Sequence, residues 1–235
     1  MPVEEVVSRF HIWLIYFLIT IYAICYQIQA PIEPFLVDKL VKGGAAEAAV
    51  AYSKVTSFFS VMQGVGSLLM GLILDKFGYR FAFIVNFVAC ALQYYTLSVS
   101  TSLNLLFLSK MPGMMMGGFL CAQTAVATFT ADGPERVKAL GRLTTAYTVG
   151  ATLGLYIGGY LGASGDYYYT ARLATYGSLA SCLLVMLLPP KLSKAVVQSA
   201  KQTPKTKEKE KEKEKEKDVK DSKDANTQVV DSSWF

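Results

Sequence analysis

The chain has 235 residues, 52% of them hydrophobic, with a mean hydropathy of +0.33 and a formal net charge of +5. Apolar runs near the length needed to cross a bilayer core of about 30 Å recur along it, which excludes a soluble domain and predicts an all-α membrane protein. Residues 191–235 hold about half of the charged side chains of either sign, so the remainder is too sparsely charged for a nucleic-acid interface. The single histidine, His11, and four cysteines inside apolar runs form no metal-binding or catalytic pattern. We therefore expect no metal, no cofactor and no enzymatic activity.

The first predicted span covers residues 12–31 and follows a short polar leader at 1–11. It carries Gln27 and Gln29 near its outer end, and Glu33 follows directly after it. Unsatisfied polar groups in hydrocarbon are costly, so these side chains are candidates for lining a cavity that takes a solute. Hydrogen bonding between neighbouring helices alone would explain them equally well.

The second span is predicted at about 53–74, after an outer loop at 35–52, and it places Gln63 in mid-membrane, where it is a further cavity candidate. The third span, at about 81–99, has few polar residues. We therefore expect it to face lipid over much of its circumference.

The fourth span is predicted at about 103–129 and contains a lysine, Lys110, and a helix-kinking proline, Pro112. A lysine inside a membrane helix costs roughly 2.5 to 3.5 kcal/mol on insertion scales, so it must be paired, face water or reach the surface. Pairing with Glu33 and snorkelling to the outer surface are both open. Gln123, further along the same span, is another candidate cavity residue.

The turn between the second and third spans reads GLILDKFGYR over residues 71–80. Gly71 would let helices approach closely, Gly78 suits a departure from helical geometry, and the cations Lys76 and Arg80 would hold the turn on the cytoplasmic side. The spacing G-x-x-x-D-K-x-G-x-R resembles the loop motif of the major facilitator superfamily. This resemblance implies that Asp75 belongs to a conformational latch, made with a cation and a helix end and remade as a transporter changes state.

The fifth predicted span carries serially spaced glycines, which let another helix backbone pack close. These are Gly141, Gly150, Gly154, Gly158 and Gly159. Their spacing resembles the fifth-span motif of the superfamily's antiporters, with Leu155 in place of a proline. The resemblance implies exchange rather than uptake, and tight helix packing alone would explain the glycines as well.

The sixth span is predicted at about 171–188 and ends before Pro189 and Pro190. From residue 191 onward no apolar periodicity survives, and the alternating Lys/Glu run predicts a disordered, solvated tail. Cations are more frequent in the loops assigned to the inner side, so both termini are predicted to be cytoplasmic.

Further segments, at residues 29–36, 59–63, 112–113 and 139–142, resemble the N-terminal half of organic-cation-transporter-like proteins of solute carrier family 22. The resemblance covers most of 12–190 and implies six transmembrane helices, one half of a major facilitator fold. It also implies transport of small organic solutes, cations among them, by proton-linked exchange.

Cavity-facing glutamines and Lys110 of a lone half would meet lipid, which is expensive. We therefore expect this half to need a second six-helix half or to form a homo-oligomer. The alternative is a non-transporting membrane protein that associates with or regulates a full-length relative.

Overall fold

The structure, a computed structural model, describes residues 3–41 and 43–189. The regular elements in this part of the chain are all helical, as the sequence predicts. They are α1 (Val3–Gln27), α2 (Glu33–Leu40), α3 (Ala45–Phe77), α4 (Tyr79–Ser98), α5 (Leu103–Lys110), a 3-10 turn (Pro112–Met115), α6 (Gly118–Phe129), α7 (Pro134–Gly162) and α8 (Tyr167–Val185). The tail predicted at 191–235 lies outside the described residues.

Four segments of the described chain are long and apolar enough to cross a membrane. They are Arg9–Gln27, Ala45–Phe77, Tyr79–Ser98 and Leu103–Phe129. They correspond to the first four predicted spans. Helices α7 and α8, with 29 and 19 residues, are long enough for a crossing at about 1.5 Å per residue but are less apolar. The fifth and sixth spans therefore stay predictions.

Two boundaries differ from those predicted. Helix α1 begins at Val3 and includes most of the expected polar leader, because no proline or glycine interrupts residues 3–30. The expected outer loop at 35–52 is largely helical. Pro34 occupies the first turn of α2, where its missing N–H costs nothing, and α3 starts directly after Gly44, whose φ is 87°.

Helices α1 and α4 supply most of the largest buried side chains. Helix α1 packs along α7 and also contacts α6 and α8, and α4 packs along α8. In the third span 56% of the apolar window is buried inside the bundle, and the surface that remains for lipid includes the exposed side chains of Val88 and Leu92. Phe83, Phe87, Tyr94 and Leu97 recur at helical spacing and form an inward stripe. An apolar surface in a membrane helix can face protein as readily as lipid, so composition alone did not distinguish the two.

Side-chain to backbone hydrogen bonds hold the helices together at one end of the bundle. The Tyr79 hydroxyl donates to the Pro189 carbonyl at 2.9 Å, and the Arg80 guanidinium donates to the Met186 carbonyl at 3.0 Å. The Tyr16 hydroxyl donates to the carbonyl of Ala139 at 3.0 Å. These bonds connect α4 to the chain at the end of α8, and α1 to α7.

Candidate functional site

A half-open polar cavity of about 160 Å³ lies between the α1–α2 junction and helices α3, α4 and α5. Its walls combine two charged groups, three amides and four aromatic rings. The lining residues are Tyr26, Gln27, Gln29, Ala30, Glu33, Tyr52, Thr56, Phe59, Gln93, Tyr94 and Lys110. All of these elements belong to one helical bundle, so the cavity is formed within this chain.

A buried ion pair closes one side of the cavity. The Lys110 ammonium contacts the Glu33 carboxylate, and their side chains are only 6% and 13% exposed. The ammonium also lies over the Phe59 ring, 5.1 Å from its centroid. Of the two alternatives left open for Lys110, the structure therefore shows pairing, and a snorkelling lysine would be exposed.

Helix ends place both members of the pair. Glu33 lies in the first turn of α2, and Lys110 lies in the last turn of α5. The positive end of a helix macrodipole favours the carboxylate at the first position, and the negative end favours the ammonium at the second. Each charge is thus stabilised by its own helix as well as by its partner.

The fourth span is broken beside this pair, which is why a helix end occurs within the span. Pro112 has no N–H to donate, and α5 ends at Lys110, followed by a 3-10 turn and then α6 from Gly118. Non-helical backbone at membrane depth is tolerated where protein covers it. Here α3 supplies that cover, because Gly66 lies directly against the Met114 carbonyl.

Three polar groups on the cavity walls lack hydrogen-bond partners among the described residues. They are the Gln29 amide nitrogen, the Gln93 amide oxygen and the Tyr94 hydroxyl. The three side chains are 6%, 4% and 1% exposed, respectively. A buried polar group without a partner costs free energy, so each of these three groups would be stabilised by a hydrogen-bond partner.

The structure brings together four of the six residues that the sequence nominated for the cavity, namely Gln27, Gln29, Glu33 and Lys110. The other two do not line it. Gln63 is half-buried on α3, where its side chain interacts with Tyr26, and Gln123 is exposed on α6. The expectation that Lys110 of a lone half would meet lipid is wrong, since Glu33 and Phe59 cover it inside this bundle.

Sequence reasoning missed the contribution of α4, whose Gln93 and Tyr94 form one wall of the cavity. A signal was present. Asn86 and Gln93 are seven residues apart and therefore share a helix face, and both are buried. Two amides on one face of an otherwise apolar span indicate a protein-facing surface.

The proposed latch residues lie along the end of α3 and the start of α4, and their role as a latch stays a prediction. Asp75 is exposed and forms no hydrogen bond or ion pair within the described chain, while Lys76 lies over the Phe77 ring at 5.5 Å. Arg80 instead contacts a helix end, at the Met186 carbonyl. Gly78 ends α3 with φ 83°. Gly71 allows no close approach here, because an added Cβ would meet nothing within 4 Å.

Three of the five nominated α7 glycines form a close backbone contact with α1. An added Cβ at Gly150, Gly154 or Gly158 would come closer than 3.0 Å to the carbonyl oxygen of Thr20, Ile24 or Ile28, respectively. Both series advance by four residues, so the two helices lie against each other over two turns. An added Cβ at Gly141 or Gly159 would meet nothing within 4 Å, so these two take no part in this contact.

The family model and the relatives that match this chain are all consistent with one family of membrane transporters. The family model of the Major Facilitator Superfamily matches residues 13–230. Human solute carrier family 67 member A1 is 31% identical over 182 residues, which are 75% of this chain and 42% of that protein. Mouse solute carrier family 22 member 18 is 32% identical over 195 residues, 80% of this chain and 47% of that protein.

A more distant bacterial relative is the class B tetracycline resistance protein of Escherichia coli, 24% identical over 132 residues, 56% of this chain and 32% of that protein. The chain thus spans less than half the length of each of these three relatives.

Proposed function

Because the chain belongs to the Major Facilitator Superfamily, we propose that it forms one six-helix half of a membrane transporter for small organic solutes. The observation that carries this proposal is the polar cavity beside the buried Glu33–Lys110 pair. Polar and ionisable groups inside membrane bundles are costly and are retained along solute and ion pathways. The transporter names of the relatives support the same class of activity.

We further propose that transport is coupled to proton exchange through Glu33, the acid among the described cavity residues. Protonation would neutralise the carboxylate and remove its attraction for Lys110, which would open this side of the cavity. Loss of the proton would restore the pair. The sequence resemblance adds a cationic solute to this scheme.

The second half in this proposal is another copy of this chain or the corresponding half of a full-length relative. Gln123 is exposed and Gln63 is half-exposed on helices that cross the bilayer, and a partner half would cover both amides. Alternating access would then be a rocking of the two halves around a site between them. We propose that both termini are cytoplasmic, with the Asp75–Arg80 turn on the same side.

The test is solute flux in proteoliposomes at controlled copy number, with labelled tetraethylammonium and nicotinamide as probes. At one copy per vesicle we expect no saturable flux of either probe. At several copies, or with a full-length relative in the same vesicle, we expect saturable flux that Glu33→Gln abolishes. The control is Glu47→Gln, which changes an exposed acid at the start of α3. Flux from single copies would contradict the need for a second half, and no flux under any condition would contradict transport.

A second candidate is a non-transporting protein that associates with a full-length relative and regulates it. Helix α3 favours this role, since only 17% of its span is buried and small residues recur along its exposed face. These residues are Ser53, Ser57, Ser60, Gly64 and Ser67. Small residues let membrane helices pack closely. Co-expression that changes a relative's transport without any flux by this chain would favour this candidate.

A further inference from the structure

The fixed charges of the polar cavity cancel. Among the described residues that line the cavity, Glu33 and Lys110 are the ones charged at neutral pH. These two residues pair with each other. A charged solute that enters the cavity loses its hydration. It meets no free opposite charge there, because Glu33 and Lys110 already neutralise each other. Because burying an unpaired charge is strongly unfavourable, the cavity favours an uncharged solute.

The unpartnered groups define which uncharged solute fits. A glutamine carboxamide offers both NH₂ donors and an oxygen acceptor, and a tyrosine hydroxyl can donate or accept. Among the residues that line the cavity, the unpartnered groups are therefore one amide donor from Gln29, one amide acceptor from Gln93 and the Tyr94 hydroxyl. The complementary group carries a donor and an acceptor together, as a primary carboxamide does.

The remaining walls restrict shape and size. The rings of Tyr26, Tyr52 and Phe59 line the cavity and make part of its wall aromatic, which suits a planar group. The volume of about 160 Å³ favours a small solute. Gln93 and Phe59 both lie against Gly113, where an added Cβ would come within 1.8 Å of the Gln93 amide oxygen and 2.6 Å of the Phe59 ring.

We propose that this cavity binds small, planar, uncharged solutes that carry a carboxamide-like pair of donor and acceptor. The proposal rests on the proposed function, since it names the solute class of the same cavity. It differs from the resemblance, which implies cations. The binding takes place within this chain and needs no second half, so it can be measured separately from transport.

The experiment measures equilibrium binding by calorimetry to the purified full chain in lipid nanodiscs. Nicotinamide, 1-methylnicotinamide and nicotinate are suitable probes, because they share one ring and are neutral, cationic and anionic, respectively. We expect saturable binding of nicotinamide and at least about tenfold weaker binding of the two charged probes. Binding of 1-methylnicotinamide as tight as that of nicotinamide would overturn the proposal.

Variants connect binding to the named groups. Tyr94→Phe removes a hydroxyl that has no partner in the described fold, so it should leave stability unchanged and weaken nicotinamide binding about fivefold. Tyr95→Phe is the matched control, because Tyr95 is 58% exposed on the same helix, and it should bind like the wild type. Equal affinities of the two variants would contradict the assignment.

Changing one charge should change the preferred probe. Glu33→Gln leaves the Lys110 ammonium uncompensated, so nicotinate should then bind more tightly than nicotinamide. An unchanged preference in this folded variant would overturn the charge argument. If none of the three probes binds the wild type, the cavity holds water only and the proposal fails, while the proposed transport stands on its flux assay. Binding without flux would contradict transport alone.

Discussion

The backbone carbonyl of Met114 lies so close to the Cα of Gly66 that any added side chain would collide with it. Through this contact the unwound middle of the fourth span rests on α3. Met114 follows the end of α5 by four residues, and Lys110 at that end lines the cavity. A single glycine on one helix thus permits the broken helix that places the ion pair.

Replacing Gly66 by alanine should therefore destabilise the protein. The obstacle is a backbone carbonyl rather than the end of a flexible side chain, so relief requires a shift of the whole segment. We expect a loss of about 1 to 3 kcal/mol in the free energy of unfolding, measured by denaturant titration in detergent. Gly64→Ala is the control, because an added Cβ there meets nothing within 4 Å. Equal effects of the two variants would contradict this account.

In the contact between α1 and α7, too, replacing a glycine should destabilise the protein only where that glycine touches the other helix. Gly154→Ala places a methyl group 2.7 Å from the Ile24 carbonyl oxygen, so the two helices must separate. We expect a clearly lower melting temperature in detergent than for Gly159→Ala, whose Cβ faces open space. If the two variants have the same melting temperature, the backbone contact does not stabilise the bundle.

The Glu33–Lys110 pair should behave as a unit. Glu33→Lys leaves two buried cations and Lys110→Glu leaves two buried acids, and each should destabilise by about 3 to 5 kcal/mol. The double reversal restores opposite charges, although each then sits at the less favourable helix end. We expect it to recover more than half of the loss, measured as a double-mutant cycle on unfolding. Strict additivity of the two single effects would show that the groups do not interact.

Asp75 and Arg80, two of the charged residues at the turn between α3 and α4, should have separable roles. Asp75 is exposed without a described partner, so Asp75→Asn should change stability by less than about 0.5 kcal/mol. If Asp75 acts as a conformational latch, the same variant lowers transport of a competent assembly and leaves solute binding nearly intact. Unchanged transport would contradict that role.

Arg80 is expected to matter for the folded state itself. Its guanidinium donates to the Met186 carbonyl directly after α8, and hydrogen bonds from charged groups contribute about 1.5 to 3 kcal/mol. Arg80→Gln should therefore lower the free energy of unfolding by about 1 kcal/mol or more, with Lys76→Gln as the control. Lys76 contacts the neighbouring Phe77 ring in the same turn. A larger loss of unfolding free energy for Lys76→Gln than for Arg80→Gln would contradict the stabilising role of Arg80.

The sequence by itself determined the features that depend on neighbouring residues. Apolar runs predicted the four segments able to cross a membrane, Pro112 predicted a kink where the structure shows a break in the fourth span, and Gly78 marked the end of α3. The cost of a lysine in hydrocarbon required a partner or an exit for Lys110. Each of these inferences follows from local backbone geometry or from the energy of one side chain in a membrane.

Only the tertiary structure decided which surfaces meet. It selected pairing over snorkelling for Lys110, whose partner Glu33 is 77 positions away along the chain. It placed Gln93 in the cavity wall and Gln123 outside, and it chose Gly154 but not Gly159 for the close helix contact. Lipid tails are as apolar as leucine, so hydropathy in a membrane helix does not distinguish the face against protein from the face against lipid. That choice depends on the shapes of side chains on separate helices, and it exists only once they have packed.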